Sequence, residues 1–352
     1  MTRPVGELRA LTGARGIAAW FVVLFHIRQS IAGLPPAIAL LLSKGYLAVD
    51  FFFLLSGFVM WLSWGERLHR ERWHAFVPFL RKRIARVWPL HAVMLSAMVA
   101  LALVFVATGR ADPVSFPFAD LPLHVLLLQN WGFLDRLAWN IPSWSISAEL
   151  GAYLVFPVVA IIFDWRRLST TALLALAGIL TIGLCVVIQP SPLLSFDIPR
   201  FGLVRCLCEF LTGTIVCALW QRSDGVRVAG VTAVGVAASW AIGVPETLAA
   251  PALFALLIFL LAHAVVASAP GGRGMHFLGE VSYATYLCHY PLWIVFKLVF
   301  VRRVDDVPPA LIAVYIGIVL LCSTILHVRV ERPAQRFIDG FGPSMKQARA
   351  LP

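Results

Sequence analysis

The chain has few charged residues and, unlike a typical soluble protein, is mostly hydrophobic. Only 13% of its 352 residues are Asp, Glu, Lys or Arg, whereas 60% are hydrophobic. The mean hydropathy of +0.85 is higher than a soluble core of this length needs. The sequence also lacks low-complexity tracts, repeats of fixed period and a separate soluble segment. This composition predicts a polytopic membrane protein that acts within or against the bilayer.

Cysteine is scarce, and no CxxC spacing is present. All six cysteines fall within predicted spans, namely Cys185, Cys206, Cys208, Cys217, Cys288 and Cys322. We interpret them as small apolar packing residues rather than as disulfides or metal ligands. No metal site is expected.

Apolar windows of about 20 residues predict ten transmembrane helices. The windows lie near 14–31, 46–64, 87–107, 144–163, 169–188, 200–220, 226–242, 248–268, 281–300 and 308–328. We therefore expect an all-α polytopic membrane protein with one transmembrane domain over residues 1–340. Residues 341–352 would form a short cytoplasmic tail.

Acidic residues are fewer than basic ones, 18 against 29, which gives a net charge of +11. If the N-terminus is cytoplasmic, the predicted cytoplasmic segments hold 20 of the basic residues and the opposite side holds 7. This bias predicts that both termini lie in the cytoplasm. The excess charge can face anionic membrane lipid or an anionic cytoplasmic ligand. No basic stripe interleaved with aromatic residues indicates nucleic-acid binding.

The first span, GARGIAAWFVVLFHIRQS, carries Arg15 and His26. Eleven residues separate them, so both project from one helix face, about 16 Å apart along the axis. Ionisable residues at membrane depth usually serve function. The alternative is that Arg15 snorkels to the headgroups and His26 is only an interhelical hydrogen-bonding residue.

Two carboxylates are predicted in the extracytoplasmic half of the same bundle. Asp50 lies near the extracytoplasmic end of the second span and should pair with His26 or an arginine. Glu149 shares one face of the fourth span with Ser145 and Tyr153. A histidine beside a carboxylate can act as an oriented base, although Glu149 could instead bind a neighbouring arginine.

The most basic segment precedes the third span and includes Arg83 and Arg86, which are three residues apart. Such a cluster can be an ordinary topological anchor. It can also hold phosphates that approach from the cytoplasm. The second interpretation gains support because Arg15 is predicted at the same membrane level.

The ninth span places Ser282, Tyr286 and His289 on one helix face. The stripe could be packing or could line a polar passage. In the sixth span, Arg205 and Glu209 are spaced to form a structural ion pair.

Smaller roles are predicted elsewhere in the chain. Ser56 and Gly57 are interpreted as helix-packing residues. Glu331, before Pro333, should pair with a cytoplasmic arginine and end the last span.

These motifs together resemble those of the integral-membrane acyltransferase 3 family, bacterial ten-helix proteins that O-acylate sugars of surface polysaccharides and some small glycosides. The similar stretches are LTGARGIAAWFVVLFH, GYLAVDFFFLLSGF, the Arg83 and Arg86 pair, WSISAE, LGEVSYATYLCHYPL and ERP. They run from one end of the chain to the other.

The resemblance implies transfer of an acyl group, most often acetyl, from cytoplasmic acyl-CoA to a saccharide hydroxyl. It implies a multi-pass protein of the bacterial inner membrane, with His26 as catalytic base. Glu149 and Asp50 complete the expected catalytic set. The expected donor-binding residues are Arg15, Arg83, Arg86, Ser282 and Tyr286.

Other functions stay open at this point. A proton-coupled transporter or a flippase of a lipid-linked glycan also uses intramembrane His, Asp, Glu and Arg residues, but repeated halves with broken helices are not seen in the sequence. A catalytically silent scaffold is a third possibility. Within the enzyme hypothesis, a covalent acyl-enzyme through Ser56 or Ser145 is the lesser alternative. The sequence is compatible with a homo-oligomer.

Overall fold

The computed structural model describes residues 8–189, 191–222, 224–264, 270–301 and 306–340. Within these ranges the chain is helical and has no strand, and its one isolated β-bridge joins Ile31 to Val307. The all-α prediction is confirmed. The predicted tail, 341–352, lies outside the described residues.

Ten principal helices occupy the described ranges, one at each position predicted from apolar windows. They are α1 Arg9–Ile27, α2 Ala48–Met60, α3 Phe76–Ala107, α4 Trp144–Ile162, α5 Thr170–Val187, α6 Ile198–Arg222, α7 Val226–Ala241, α8 Glu246–His263, α9 Pro270–Phe300 and α10 Pro309–Leu326. Shorter α-helices span Pro36–Ser43, Glu66–Glu71, Leu121–Val125 and Arg332–Gly340. Two π-helical turns, Trp61–Gly65 and His327–Glu331, prolong α2 and α10.

Seven stretches among the described residues are long and apolar enough to cross a membrane. They are Arg9–Ser30, Pro36–Ala107, Ile141–Ile162, Thr170–Val187, Ile198–Arg222, Glu246–His263 and Pro309–Ile338. The stretch Pro36–Ala107 contains both α2 and α3. Helix α9 is not among the seven because polar side chains, including Ser282 and His289, lower its hydropathy. The chain is thus a multi-pass helical membrane protein, while ten crossings and cytoplasmic termini stay predictions.

Helix α3 begins eleven residues before the apolar window that predicted it. Arginine and lysine favour helix formation, so the helix continues through the basic segment instead of ending at the window's edge. Arg83 and Arg86 consequently stand on a continuous helix, one turn before Pro89. Their side chains are held at a fixed spacing.

Glycines bring two helix pairs into close backbone contact. Helices α1 and α9 meet at Gly16 and Gly279, and α2 and α6 meet at Gly57 and Gly213. A Cβ atom added at any of the four would collide with backbone of the opposite helix. Small residues allow this approach in membrane helices. The packing role predicted for Gly57 is confirmed, and the close contacts fix α1, α2 and α9 around the site described below.

The connection between α3 and α4 folds over one end of the bundle. The Asn140 side-chain amide donates to the Leu287 carbonyl of α9 at 3.0 Å. Asp112 accepts the backbone N–H of Ser115 at 3.0 Å, and this hydrogen bond lowers the pKa of the Asp112 carboxyl. The ordered connection ends in the turn Ile141–Ser143, which delivers a backbone carbonyl to the site.

Candidate active site

A cavity of about 180 Å³ lies among α1, α2, α3, α4 and α9. Its wall includes α2 from Val49 to Met60, which corresponds to about 16 Å along that helix. Six of the eight site residues predicted from the sequence line this cavity, namely Arg15, Arg83, Arg86, Glu149, Ser282 and Tyr286. The remaining two, His26 and Asp50, do not line it.

Two of the three cavity arginines have fixed partners. Arg86 forms an ion pair with Glu331, the buried last residue of the π-helical turn His327–Glu331. The predicted arginine partner of Glu331 is confirmed, but the prediction that the helix ends there is wrong, because the helical stretch continues through Arg332–Gly340. Arg15 donates to the Gly279 carbonyl and to the Ser282 hydroxyl, both at 3.1 Å. We call Arg15, Arg83 and Arg86 the arginine end of the cavity.

Arg83 differs from its two neighbours. In the part of the chain that the structure describes, it forms no ion pair, and its buried Nε has no hydrogen-bond partner. A buried guanidinium hydrogen without an acceptor is costly. The cavity therefore presents a cation that can bind an anionic ligand without first breaking an internal ion pair.

Glu149 lies in the middle of the cavity. Its Oε1 accepts from the Ser56 hydroxyl at 2.5 Å and from the Tyr153 hydroxyl at 2.6 Å. Ser56 thus binds a carboxylate and lines the cavity, in addition to the packing role predicted for it. The two donors hold the carboxylate in one orientation.

The far end of the cavity is formed by Ser145 and Tyr286, whose hydroxyl oxygens lie 2.7 Å apart. The Tyr286 hydroxyl also donates to the Pro142 carbonyl at 3.0 Å. The predicted polar stripe of α9 is therefore divided, because Ser282 lies with the arginines and Tyr286 lies at the opposite end.

His26 lies beyond Tyr286 and contacts a second histidine. The His26 Nδ1 is 3.3 Å from Nε2 of His289, and the ring centroids are 4.9 Å apart. The ring of His289 is in turn 6.1 Å from the ring of Tyr286. We call His26 and His289 the histidine pair. It is the neighbour of the cavity rather than part of its lining.

Asp50 contacts Arg205 and not His26. Both carboxylate oxygens accept from the guanidinium at 2.5 Å, and both residues are buried. The arginine partner that the sequence allowed for Asp50 is confirmed. The predicted pair between Arg205 and Glu209 is wrong, because among the described ion pairs Arg205 binds Asp50.

The sequence matches a known protein family over most of its length. The family described as "Acyltransferase domain", Acyl_transf_3, matches residues 8–328. The chain belongs to the acyltransferase 3 family. It is an acyl-transferring enzyme of the membrane, and the predicted family resemblance is confirmed.

Individual members of the acyltransferase 3 family and other relatives match to different extents. Acyltransferase MdmB of Streptomyces mycarofaciens is 31% identical over 95% of this chain and 93% of its own length. O-acetyltransferase OatA of Staphylococcus aureus is 20% identical over 94% of this chain and 57% of its own length. Protein 2 in the picA locus of Rhizobium radiobacter is 38% identical over 30% of this chain. No solved structure matches.

Metal-ligating side chains do not cluster in the described part of this acyltransferase 3 chain, where no group of three or more His, Cys, Asp or Glu residues could hold an ion. Its six cysteines are free, and four of them are buried. Hydroxyl, imidazole, carboxylate and guanidinium groups are thus what the site offers for acyl transfer.

Most of the predicted residues lie at the site, whereas several of their hydrogen-bond and ion-pair partners were not predicted. The spacing of Glu149 and Tyr153, four residues apart in one helix, could have revealed their hydrogen bond. The contact between His26 and His289 joins α1 to α9, so no local spacing signals it. The sequence shows only that α1 and α9, two polar helices, each have a histidine at a comparable depth in the membrane.

Proposed function

We propose that this enzyme moves an acetyl group from cytoplasmic acetyl-CoA to a hydroxyl of a saccharide in a bacterial surface polysaccharide or its lipid-linked precursor. The name of the relative OatA supports both the acetyl donor and the oxygen acceptor. The observation that carries the donor is the arginine end of the cavity, where Arg83 forms no ion pair with any described residue.

The donor fits the cavity in one direction only. CoA is a polyanion whose long flexible arm ends in the thioester, and guanidinium groups bind phosphate strongly. The phosphates therefore stay at the arginine end, and the arm passes Ser282 toward Tyr286.

The acceptor meets the thioester near His26 in this proposal. The His26 ring takes the proton of the saccharide hydroxyl as that oxygen attacks the thioester carbon. The carbon–sulfur bond then breaks, and the departing CoA sulfur receives the proton. A well-placed general base contributes roughly a hundred- to ten-thousandfold to such a reaction. Because Ser145 and Tyr286 end the cavity before His26, the Tyr286 side chain moves when the thioester arrives.

For the alternative route through a covalent acyl-enzyme, Ser56 is the suitably placed serine. The Ser56 hydroxyl lines the cavity and already donates to Glu149, which could take its proton. An acetyl-Ser56 intermediate would release CoA before the saccharide binds. Rapid mixing with acetyl-CoA alone distinguishes the two routes: direct transfer releases no CoA burst, whereas a burst proportional to enzyme that is lost in Ser56→Ala would establish the covalent route.

The acceptor is tested on cell-surface glycans. We expect mass spectrometry to find acetyl groups on one surface saccharide in cells that carry the gene and to find none after its deletion. Complementation with the wild-type gene should restore the modification. Identical glycan spectra in all three strains would refute the saccharide assignment.

The side of donor entry is tested separately by cysteine accessibility. Single cysteines placed in residues 65–86 should react only after the cytoplasmic face is opened, whereas cysteines in residues 108–143 should react in intact cells. The opposite pattern would place the arginine end outside the cell and would exclude cytoplasmic acetyl-CoA as donor.

A further inference from the structure

We propose that His289 is a positioning residue that orients the His26 ring and supports its protonated form, because its Nε2 shares the hydrogen on His26 Nδ1 with the Val22 carbonyl. The inference rests on the proposed role of His26 as catalytic base. His289 is fully buried and does not line the cavity, so it acts through His26 and not on the substrates.

The protonation of His289 follows from its neighbours. Its Nδ1 lies 2.7 Å from the Tyr286 carbonyl and 3.3 Å from the Thr285 carbonyl. Carbonyl oxygens only accept hydrogen bonds, so Nδ1 carries the ring hydrogen. No carboxylate in the described ranges forms an ion pair with His289, which leaves the ring neutral. Its Nε2 therefore directs a lone pair toward His26.

The tautomer of His26 is set by its own neighbours. Its Nδ1 is 2.9 Å from the Val22 carbonyl and 3.3 Å from Nε2 of His289. Two acceptors thus face Nδ1, which must carry the hydrogen and shares it between the nearer Val22 carbonyl and the more distant His289 nitrogen. The neutral His26 ring then has its lone pair on Nε2, and no described residue donates a hydrogen bond to that atom. His26 is left with a free basic nitrogen and no choice of tautomer.

His289 also takes part when His26 becomes charged. After Nε2 of His26 accepts the proton of the acceptor hydroxyl, the Nδ1–H group becomes a stronger donor. Its hydrogen stays on His26, and the bond to Nε2 of His289 strengthens. A neutral imidazole thereby performs the orienting task that a carboxylate performs in other His-dependent sites. Tyr315 supports the arrangement, because its hydroxyl donates to the His289 carbonyl at 2.8 Å.

Two substitutions of nearly equal shape test the inference. His289→Gln retains an oxygen that can accept from His26, whereas His289→Met has no comparable acceptor. We expect His289→Met to lower kcat about ten- to hundredfold, because hydrogen bonds to charged groups have that magnitude. The KM for acetyl-CoA should change less than about twofold. His289→Gln should recover most of kcat. Cys288→Ala, buried at the adjacent position, is the control and should keep wild-type kcat.

Equal loss of kcat in the Gln and Met variants, or wild-type kcat in both, would overturn the positioning role. So would a loss that appears in KM for acetyl-CoA instead of kcat. If neither variant folds, nitrogen-15 NMR of the histidine rings in the wild-type protein, with His26→Ala to assign the signal, decides the matter. An Nδ1-protonated His26 is expected, together with an Nε2 signal of His289 that shifts when His26→Ala removes its donor; an Nε2-protonated His26, or an unchanged His289 signal, would refute the inference. Full activity of His26→Ala is a different result, since it removes the proposed function itself.

Discussion

The arginine end of the cavity and the histidine pair differ in how their charges are satisfied. At the arginine end, three guanidinium groups from α1 and α3 share one cavity, and Arg83 forms no described ion pair. In the histidine pair, Nδ1 of each ring lies within hydrogen-bond distance of a backbone carbonyl of its own helix, which corresponds to two neutral rings in the tautomers proposed above. The arginine end thus has a guanidinium group that can bind an anion. The histidine pair, in the proposed tautomers, has one free lone pair, on Nε2 of His26.

In the proposed function, this difference separates donor binding from chemistry along one helix bundle. An excess of cation attracts a phosphate-bearing donor but would disfavour the positive charge that a base acquires during transfer. Placing His26 about 16 Å from Arg15 along α1 keeps these two requirements apart. The following four substitutions test that separation: two are expected to lower kcat, one to weaken acetyl-CoA binding and one to lower the free energy of unfolding.

The largest effect is expected for His26→Ala. Loss of the base should reduce kcat about a hundred- to ten-thousandfold, while acetyl-CoA affinity measured by calorimetry stays within about twofold of wild type. His74→Ala, an exposed histidine at the predicted cytoplasmic side, should be fully active. A His26→Ala enzyme that loses CoA binding as well would break the separation between the two ends.

The second effect is expected for Arg83→Ala. Charge-assisted hydrogen bonds contribute roughly 1.5–3 kcal/mol, so acetyl-CoA affinity should fall about ten- to hundredfold, with kcat at saturating donor changed much less. Arg167→Ala is the matched control, because that side chain is 80% exposed. Equal CoA affinity in both variants would mean that the cytoplasmic arginines are only topological anchors.

Glu149→Gln should have a smaller effect that falls on turnover. The amide oxygen can still accept from Ser56 and Tyr153, so the geometry is kept while the negative charge is lost. We expect lower kcat with acetyl-CoA affinity within about threefold of wild type. Initial rates at varied donor concentration measure both quantities. If donor affinity changes more than kcat, Glu149 belongs functionally with the arginine end.

The smallest effect is expected for Tyr286→Phe at the boundary between the two ends. The substitution removes the hydrogen bonds to Ser145 and to the Pro142 carbonyl, which should lower the free energy of unfolding by about 0.5–1.5 kcal/mol. Thermal unfolding in detergent of Tyr286→Phe, Ser145→Ala and the double variant measures the coupling between the two hydroxyls. Additive losses would show that the two hydroxyls do not interact.

The positions of the helices could be predicted from the sequence because the membrane demands apolar windows of nearly constant length. The ends of helices could not, since basic residues that lie outside the apolar window still favour helix. Helix α3 therefore begins at Phe76, well before its window. Helix α9 also begins early, at Pro270, although that extension has a single basic residue of the Lys or Arg type, Arg273, and four glycines. In these extensions, residues predicted on the cytoplasmic side are helical.

Among the site residues, identity was predictable and pairing was not. Polar side chains stand out against an apolar span, so Arg15, Glu149 and Ser282 could be selected by type and helix face. Which partner each side chain meets depends on contacts between helices far apart in sequence. Asp50 binds Arg205 rather than His26 for that reason, and His289 could be found beside His26 only in the folded chain.

The hydrogen-bonded hydroxyls of Ser145 and Tyr286 have an electrical consequence. An open aqueous path from the arginine end to the far side of the bundle would conduct protons and dissipate the gradient across the membrane that houses the enzyme. This pair of side chains lies in the cavity lining on the side of the histidine pair. In the proposed function the acyl arm passes this contact, so the insulation of the membrane requires that the arm itself fills the passage when the contact opens.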